Sequence, residues 1–337
     1  MMDTMRKVVG AWLAMSGAAS LVLILAAGPG STPASAATYP TRAVDMVVAF
    51  APGGGADVAA RLAAGHVSKK WGVPVNVVNR PGGGGIVGTH EVLTARPDGY
   101  TLMMDNHAVN AMLAASQTDL PFKWDERTAV ARVTLDPVFY VVKHDAPWRT
   151  LKEVVAHIKA NPKTFRWGTS HAGGISTFAI AQFFAVAALD IAQANRVVFP
   201  GGAPTLTALA GGHVDFAGQQ WSEVLGLIAG KKIRALAVVL PERLKDFPDV
   251  PTAREAGFPE LDVVGWQGIS GPPGLPAEVV ERWDQAIREA STDPVFLDQA
   301  AKIGKVIAYL GPQDFRKFMY AELDKYLPLA IKMGIRK

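Results

Sequence analysis

The stretch VDMVVAFAPGGGADVAARLAAGHVSKKWGVPVNVVNR, residues 44–80, carries the pattern that decides the fold. VDMVVAF predicts a buried strand, and VPVNVVNR predicts a second one. Between them lies a predicted helix with Val58, Leu62 and Val67 along one side, joined to the first strand by the glycines 53–55. The order strand, helix, strand is typical of a parallel sheet covered by helices on both faces.

The same order returns along the rest of the chain. Further strands are predicted from the runs YTLMMD, VFYVVKHD, FRWGTS, NRVVF, VDFAG, IRALAVV and DVVGWQGIS. Helical runs separate them, including TLKEVVAHIKA, where Thr150 and Glu153 have the spacing of a capping box. Two further helical stretches finish the chain. The sequence therefore predicts an α/β protein with two strand–helix sets.

Composition limits the possible function. The chain has 337 residues, 49% of them hydrophobic and 19% charged, which is enough to build two domains of ordinary size. Its net charge of +4 is small and the basic residues are dispersed, so we expect no nucleic-acid partner, whereas an anionic small molecule would suit this charge. The absence of cysteine excludes disulfides, a thiol nucleophile and cysteine metal sites.

Residues 1–36 have the character of a secretory signal. Arg6 and Lys7 precede an apolar run from Val8 to Ala27, and small residues lead to a predicted cut after Ala36. The alternative is a transmembrane anchor, because the apolar run approaches the ~20 residues that cross a bilayer. We expect the mature protein to reside in the periplasm.

One motif resembles an enzyme's cofactor site. Gly83, Gly85 and Gly88 satisfy the dinucleotide pattern G-x-G-x-x-G, and Asp105 stands where a ribose-binding acid is expected. An Arg-Pro pair interrupts the step from strand to glycines, and four consecutive glycines satisfy many patterns. The histidines show no metal-binding spacing and no G-x-S-x-G elbow is present. We therefore expect no catalytic residue, no metal site and no cofactor.

Three loops of small residues each open a predicted helix. They are 53–56, 169–174 and 201–204. Helix starts present free N–H groups and a favourable dipole, so such loops can hold a carboxylate without an arginine. The alternative is that they are only the turns that every α/β unit needs.

Seven motifs in order resemble a known family. They are YPTRAVDMVVAFAPGGGADVAARLA, VNVVNRPGGGGIVG, ARPDGYTL, GGAPTLTALAGGHVDF, GKKIRALAVV, FPDVPTAREAGFP and GISGPPGLPAEVVERW. Together they resemble the Bug family, the TctC-type solute receptors of tripartite tricarboxylate transporters. The resemblance runs from Tyr39 to near the C-terminus.

This resemblance implies a two-domain periplasmic-binding-protein (Venus-flytrap) fold, type II-like with two crossovers. Each domain is expected to be a mostly parallel sheet flanked by helices. Domain 1 is expected to be discontinuous, 39–141 plus 249–337, and domain 2 to span 142–248.

The resemblance also implies a site between the domains. One carboxylate of the ligand would meet the loop Ala51–Asp57, and domain 2 would close on it with loops 169–177 and 199–204. The residues expected to bind ligand are Ala51, Pro52, Gly53, Gly54, Ala56, Asp57, Asp105, Asn106, Thr169, Ser170, Ser176, Thr177, Phe199, Gly201 and Gly202.

Several of these residues have a second interpretation. Asp57 suits a brace of its loop better than a ligand contact, because an aspartate would repel an anion. The hydroxyls of domain 2 either donate to the ligand or cap the helix that follows, and Phe199 either walls the cleft or packs in the core. Asp105 replaces a small residue usual in the family. Facing the cleft it would favour an amino-carboxylate, and otherwise it is a solvated strand end.

The sequence as a whole predicts a periplasmic receptor that captures a small organic anion and makes or breaks no bond. Its partners would be the membrane subunits of a tripartite tricarboxylate transporter or a sensor protein, and the receptor itself is expected to be a monomer. The alternatives are an NAD(P)-dependent enzyme using the Gly83–Gly88 loop and a ligand sensor that feeds a signalling system.

Overall fold

The computed structural model describes residues 39–170 and 173–336 of the chain, which belong to one unit, Thr38–Lys337. The predicted signal peptide lies outside the described residues, as do His171 and Ala172 of the predicted ligand loop. No helix of the described ranges combines the length and the apolar character that crossing a bilayer requires.

The described ranges form eleven strands and ten α-helices in alternation. The strands are β1 (Val44–Val48), β2 (Val75–Asn79), β3 (Thr101–Asn106), β4 (Thr128–Asp136), β5 (Val138–Lys143), β6 (Arg166–Thr169), β7 (Asn195–Val198), β8 (Phe216–Gln220), β9 (Ile233–Val238), β10 (Gly265–Gly271) and β11 (Val306–Leu310). The helices are α1 (Gly55–Trp71), α2 (Ile86–Leu93), α3 (Leu113–Ser116), α4 (Leu151–Ala160), α5 (Ile175–Val186), α6 (Gly202–Ala210), α7 (Trp221–Ala229), α8 (Ala277–Ala290), α9 (Pro294–Lys302) and α10 (Pro312–Lys332).

The strands form two mixed sheets. The first has the order β11-β4-β10-β3-β1-β2, in which β1 pairs with β2 and β3 in parallel and β10 runs against both β3 and β4. The second has the order β7-β6-β8-β5-β9, in which β6 is parallel to β7 and β8 while β5 runs against β8 and β9. Strands β1–β4 therefore share one direction, and so do β6–β9.

The predicted α/β fold is confirmed. The path of the chain explains why some of its strands are antiparallel. Strands β5 and β10 are the strands by which the chain enters the second sheet and returns to the first. Each begins beside the carboxyl ends of the neighbouring strands, so it runs antiparallel to them. Strands β4 and β11 are additions that the sequence patterns did not predict.

The chain passes from the first sheet to the second at Pro137, which separates β4 from β5. The return is the long segment between β9 and β10. The predicted boundary at residue 141 falls within β5, whose six residues all belong to the second sheet. The division into domains itself stays a prediction.

Helix α10 packs against core residues of both sheets. Near its start, Phe315 meets Trp266 of β10 edge to face, with ring centroids 5.4 Å apart. Near its end, the buried Tyr326 lies 5.0 Å from Phe178 of α5. Aromatic burial of this kind contributes strongly to packing, so α10 ties the two sheets together behind the cleft described next.

Candidate ligand-binding cleft

A cleft of about 500 Å³ lies where strands of both sheets end and helices begin. Ligands of open α/β sheets bind at the carboxyl ends of the strands, because loops and helix N-termini meet there. The described residues lining the cleft are Phe50, Ala51, Pro52, Gly54, Gly55, Ala56, Asn106, His107, Ala108, Ser170, Gly174, Ile175, Gly201, Gly202, Gln220, Glu223 and Gln267.

A second, larger groove of about 640 Å³ lies outside this region, along α1, α8 and α9. Two pairs of its titratable side chains lie close together: Lys70 forms an ion pair with Glu289, and His66 lies 3.7 Å from Asp293. Solvated ion pairs of this kind are the ordinary surface of a helix layer, so we place the functional site in the first cleft.

The loop after β1 leaves the start of α1 open to the cleft. Gly54 is the N-cap residue, has extended backbone angles and has no side chain that could accept hydrogen bonds from the first amides of α1. Gly53 has a φ of +84°, a conformation that disfavours other residues. The first amides of α1 are therefore presented without a side chain above them, as an anion site requires.

Asp57 braces this loop from behind. Its Oδ2 accepts hydrogen bonds from the Gly53 amide at 2.9 Å and from Arg61 at 3.0 Å, and its Oδ1 accepts one from Asn79 at 3.0 Å. Burial acts to raise the pKa of Asp57, but these hydrogen bonds outweigh it and lower the pKa. The carboxylate is buried and absent from the cleft lining, which matches the bracing interpretation.

The first sheet offers two side-chain donors to the cleft. Asn106 uses its Oδ1 to accept from the Ala108 amide at 2.9 Å, while its buried Nδ2 has no hydrogen-bond partner. Gln267 uses its Oε1 to accept from Thr134 at 2.5 Å, which leaves its Nε2 for the cleft. A buried amide without a partner costs free energy, so Asn106 favours the arrival of an acceptor.

His107 is a further polar residue of the cleft lining. Its Nδ1 lies 3.1 Å from the Trp266 amide nitrogen and 3.3 Å from the Trp266 carbonyl oxygen, so the backbone of β10 holds the ring in place. Burial lowers the pKa of His107 to about 4, so the imidazole is neutral near pH 7.

A buried ion pair lies beneath the start of α1. Lys305 pairs with Asp136, and Gln220 donates to the same Asp136 oxygen at 2.8 Å. A Cβ added to Gly55 would lie 3.1 Å from Lys305 Nζ, so the ammonium sits directly under the loop. Burial raises the pKa of Asp136, and the attraction of Lys305 opposes that rise. The pair neutralises itself and fixes the floor of the cleft.

The second sheet presents two further helix starts, both without a capping side chain. Gly174 precedes α5, and Gly201 precedes α6. The N-terminus of α6 carries a carboxylate: a Cβ added to Gly202 would lie only 2.5 Å from Glu223 Oε2. Glu223 stands in the first turn of α7.

The structure brings eight of the fifteen predicted site residues into the cleft lining. They are Ala51, Pro52, Gly54, Ala56, Asn106, Ser170, Gly201 and Gly202. The lining omits Gly53, Asp57, Asp105, Thr169, Ser176, Thr177 and Phe199.

The hydroxyls after β6 fix their own loop. The Thr169 hydroxyl oxygen lies 2.8 Å from that of Ser176 and 2.5 Å from that of Thr177. The Ser170 amide donates to the Ser176 hydroxyl at 2.9 Å. Phe199 packs with the apolar core beneath α6. These hydroxyl contacts hold the loop and do not cap α5, whose N-cap residue is Gly174, whereas Phe199 matches the packing interpretation.

Asp105 is fully buried and paired, which neither interpretation of the sequence foresaw. Arg127 lies 2.8 Å from its Oδ2, and Ser270 and Asn110 donate to the same oxygen at 2.9 and 3.0 Å. With its charge balanced inside the first sheet, Asp105 leaves no free carboxylate for a ligand or for a ribose.

The glycines of the dinucleotide pattern serve packing. A Cβ on Gly85 would collide with Val109, and one on Gly88 would lie 2.9 Å from the Ala49 Cα. Close approach of the loop to β1 therefore requires glycine at these positions.

The sequence patterns missed four polar residues of the cleft: His107, Gln220, Glu223 and Gln267. Gln267 lies within the predicted strand DVVGWQGIS, whereas His107 stands two residues after the predicted strand YTLMMD, and Gln220 and Glu223 stand two and five residues after the predicted strand VDFAG. For His107, Gln220 and Glu223, the position after a strand end was the available signal.

Comparisons with known proteins agree with this architecture. Residues 59–335 match the family described as the tripartite tricarboxylate transporter family receptor, TctC. The protein BugT of Bordetella pertussis is 28% identical over 337 residues, covering 99% of each chain.

Two solved structures share the fold over nearly their whole length. A TctC solute-binding protein from Polaromonas is 28% identical, with a TM-score of 0.75 over 88% of this chain and 100% of that one. MatC from Rhodopseudomonas palustris with bound malate is 27% identical, with a TM-score of 0.70 over 87% of this chain and 100% of that one. The family match covers well over half the chain, and the protein therefore belongs to the TctC-type, or Bug, family of periplasmic solute receptors.

Proposed function

We propose that this protein captures a small organic carboxylate in the cleft and delivers it to a tripartite tricarboxylate transporter. The observation that carries the proposal is the convergence of donors without partners. Helices α1 and α5 begin at the cleft without capping side chains, and the buried Nδ2 of Asn106 has no acceptor. A carboxylate would satisfy these groups together.

Capture would proceed by closure of two domains. Domain 1 would comprise 39–141 plus 249–337, and domain 2 residues 142–248, with the crossovers as hinges. A ligand that touches the loop after β1 and the starts of α5 and α6 has more contacts in the closed form, so it shifts the population towards closure. No bond is made or broken in this mechanism.

The relatives support a carboxylate ligand and a periplasmic location. Malate, a carboxylate, is bound in MatC, which shares this chain's fold. We propose that the leader is cut after Ala36 and that the mature receptor acts as a monomer. Its partners would be the membrane subunits of the transporter.

The direct test is a thermal-shift and calorimetry screen of the mature protein with malate, succinate, citrate, amino acids and NAD(P). A ligand at a hundred times its Kd stabilises the folded state by about 2.7 kcal/mol. We expect that stabilisation from one or more carboxylates. Stabilisation by NAD(P) alone would contradict the proposal.

A matched pair of glycine variants locates the site. At Gly54 an added Cβ meets nothing closer than the Ala51 carbonyl oxygen at 3.6 Å, and at Gly65 it meets nothing within 4 Å. Both variants should therefore fold, Gly54→Val within about 1 kcal/mol of the parent. We expect Gly54→Val to weaken carboxylate binding at least about tenfold, because the valine covers the first amides of α1. Gly65→Ala, on the same helix, should bind as the parent does.

A further inference from the structure

Glu223 holds a carboxylate inside the cleft, against the first turn of α6. Its Oε2 lies 2.5 Å from the position that a Cβ on Gly202 would take. The side chain is exposed to the solvent that fills the cleft. Burial, with a contribution from the negative Asp136, raises the pKa of Glu223 to about 7.

Glu223 is the one formally charged side chain among the described lining residues. His107 is neutral near pH 7, and the nearby Lys305 is paired with Asp136. The described lining therefore contains no lysine or arginine that would offset Glu223.

The cleft lining holds both hydrogen-bond donors and hydrogen-bond acceptors. The first-sheet side offers the amides of α1 and the side-chain donors of Asn106 and Gln267. On the second-sheet side, Gln220 Nε2 donates a hydrogen bond to Asp136, so the Gln220 Oε1 remains as an acceptor in the lining that also contains Glu223. The start of α1 with its side-chain donors thus suits a carboxylate, whereas Glu223 and the Gln220 oxygen suit a group that donates hydrogen bonds.

We propose that Glu223 selects the ligand's second functional group: the protein prefers an organic acid whose far end carries an ammonium, hydroxyl or amide donor over a dicarboxylate of the same length. This inference rests on the proposed function, because it places the first carboxylate at the start of α1. A second carboxylate would meet Glu223 at close range, and two negative charges placed side by side repel.

A purely structural role for Glu223 makes a different prediction. Glu223 stands at the third position of α7, and the amide of Gln220, its N-cap residue, hydrogen-bonds to it. Glutamine fills the same capping position as well as glutamate does. Glu223→Gln should therefore keep the fold and the cap while removing the charge, so a change in ligand preference cannot come from the cap.

The experiment compares acids of equal length by calorimetry at about pH 8.5, above the pKa of Glu223, where the carboxylate is ionised. The probes are succinate against 4-aminobutyrate and 4-hydroxybutyrate, and glutarate against 5-aminopentanoate. Glu281→Gln is the matched control, because Glu281 is exposed on α8, away from the cleft. Melting temperatures of both variants verify folding.

We expect the parent protein to bind the donor-bearing acid at least roughly tenfold more tightly than its matched dicarboxylate. Glu223→Gln should reverse or abolish that ratio, and Glu281→Gln should leave it unchanged. Equal preference in the parent, or a ratio that survives Glu223→Gln, would overturn the inference and leave the proposed function standing. If the parent binds no carboxylate of any kind, including malate and citrate, the proposed function fails and this inference with it.

Discussion

Asn106→Asp is the substitution that tests the role of the Asn106 Nδ2 group, the buried donor that has no hydrogen-bond partner. Aspartate has the shape of asparagine and keeps the oxygen that accepts from the amides of Ala108 and Val109 at 2.9 and 3.3 Å. The turn after β3 should therefore form as before. What changes is the Nδ2 group, which becomes a second carboxylate oxygen facing an anion site.

The expected loss of affinity follows from two effects. A hydrogen bond to a charged group contributes about 1.5–3 kcal/mol, so its removal alone weakens carboxylate binding roughly ten- to a hundredfold. Repulsion between the two carboxylates at a separation of about 4 Å adds up to about 4 kcal/mol at a dielectric constant near 20. This repulsion is smaller if the new aspartate takes up a proton. The hydrogen-bond loss is thus the lower limit.

The assay is calorimetry with the best carboxylate of the screen, together with chemical denaturation of the same samples. Asn161→Asp serves as the control, because Asn161 is exposed at the end of α4, away from the cleft. If Asn106→Asp bound the carboxylate within threefold of the parent, on the order of 0.6 kcal/mol, the donor role of Asn106 would be refuted.

Three further predictions concern charges around the cleft. Lys305→Met should lower the free energy of unfolding by about 3–5 kcal/mol, measured by denaturant titration, because it leaves the buried Asp136 without its partner; an unchanged midpoint would contradict the pairing. Asp57→Asn should weaken carboxylate binding, because it removes the negative charge that holds the Gly53 amide of the loop and pairs with Arg61 of α1; tight binding by this variant would show that the brace is dispensable. Glu223→Gln should match the parent's stability below pH 4.5 and become progressively more stable than the parent up to about pH 7. The reason is that Glu223 of the unfolded chain ionises freely in that interval, while Glu223 of the folded protein stays protonated. If the melting temperatures of the two proteins changed in parallel across that interval, the raised pKa would be contradicted.

Much of the fold could be predicted because hydrophobic pattern and turn residues agree along most of the chain. The strand, glycine turn and helix of residues 44–71 are explicit in the sequence, and the structure has them as β1 and α1. Strand β11 escaped prediction because its identity comes from pairing with β4, in which Val306 lies beside Leu135. Its five residues are all only partly buried, so no inside-outside alternation marks them.

The candidate site divides in the same way. The backbone loops could be predicted, since glycine-rich helix starts are local features of the sequence. The pairing of Asp105 with Arg127 could not, because two strands and a loop bring the residues together. No local sequence feature identifies Glu223 as a site residue either. Its carboxylate lies in the cleft because α7 packs close to the start of α6.

The most direct test of the central claim is a ligand titration of the protein labelled with ¹⁵N-glycine, followed by ¹H–¹⁵N spectra. The account predicts that the amides of Gly54 and Gly55, at the start of α1, shift with the same Kd that calorimetry gives for the carboxylate. The amides of Gly65 and Gly226, which lie within α1 and α7 outside the cleft lining, should not shift. Shifts confined to the glycines 82–85, or none at the start of α1 while ligand is bound, would contradict the account.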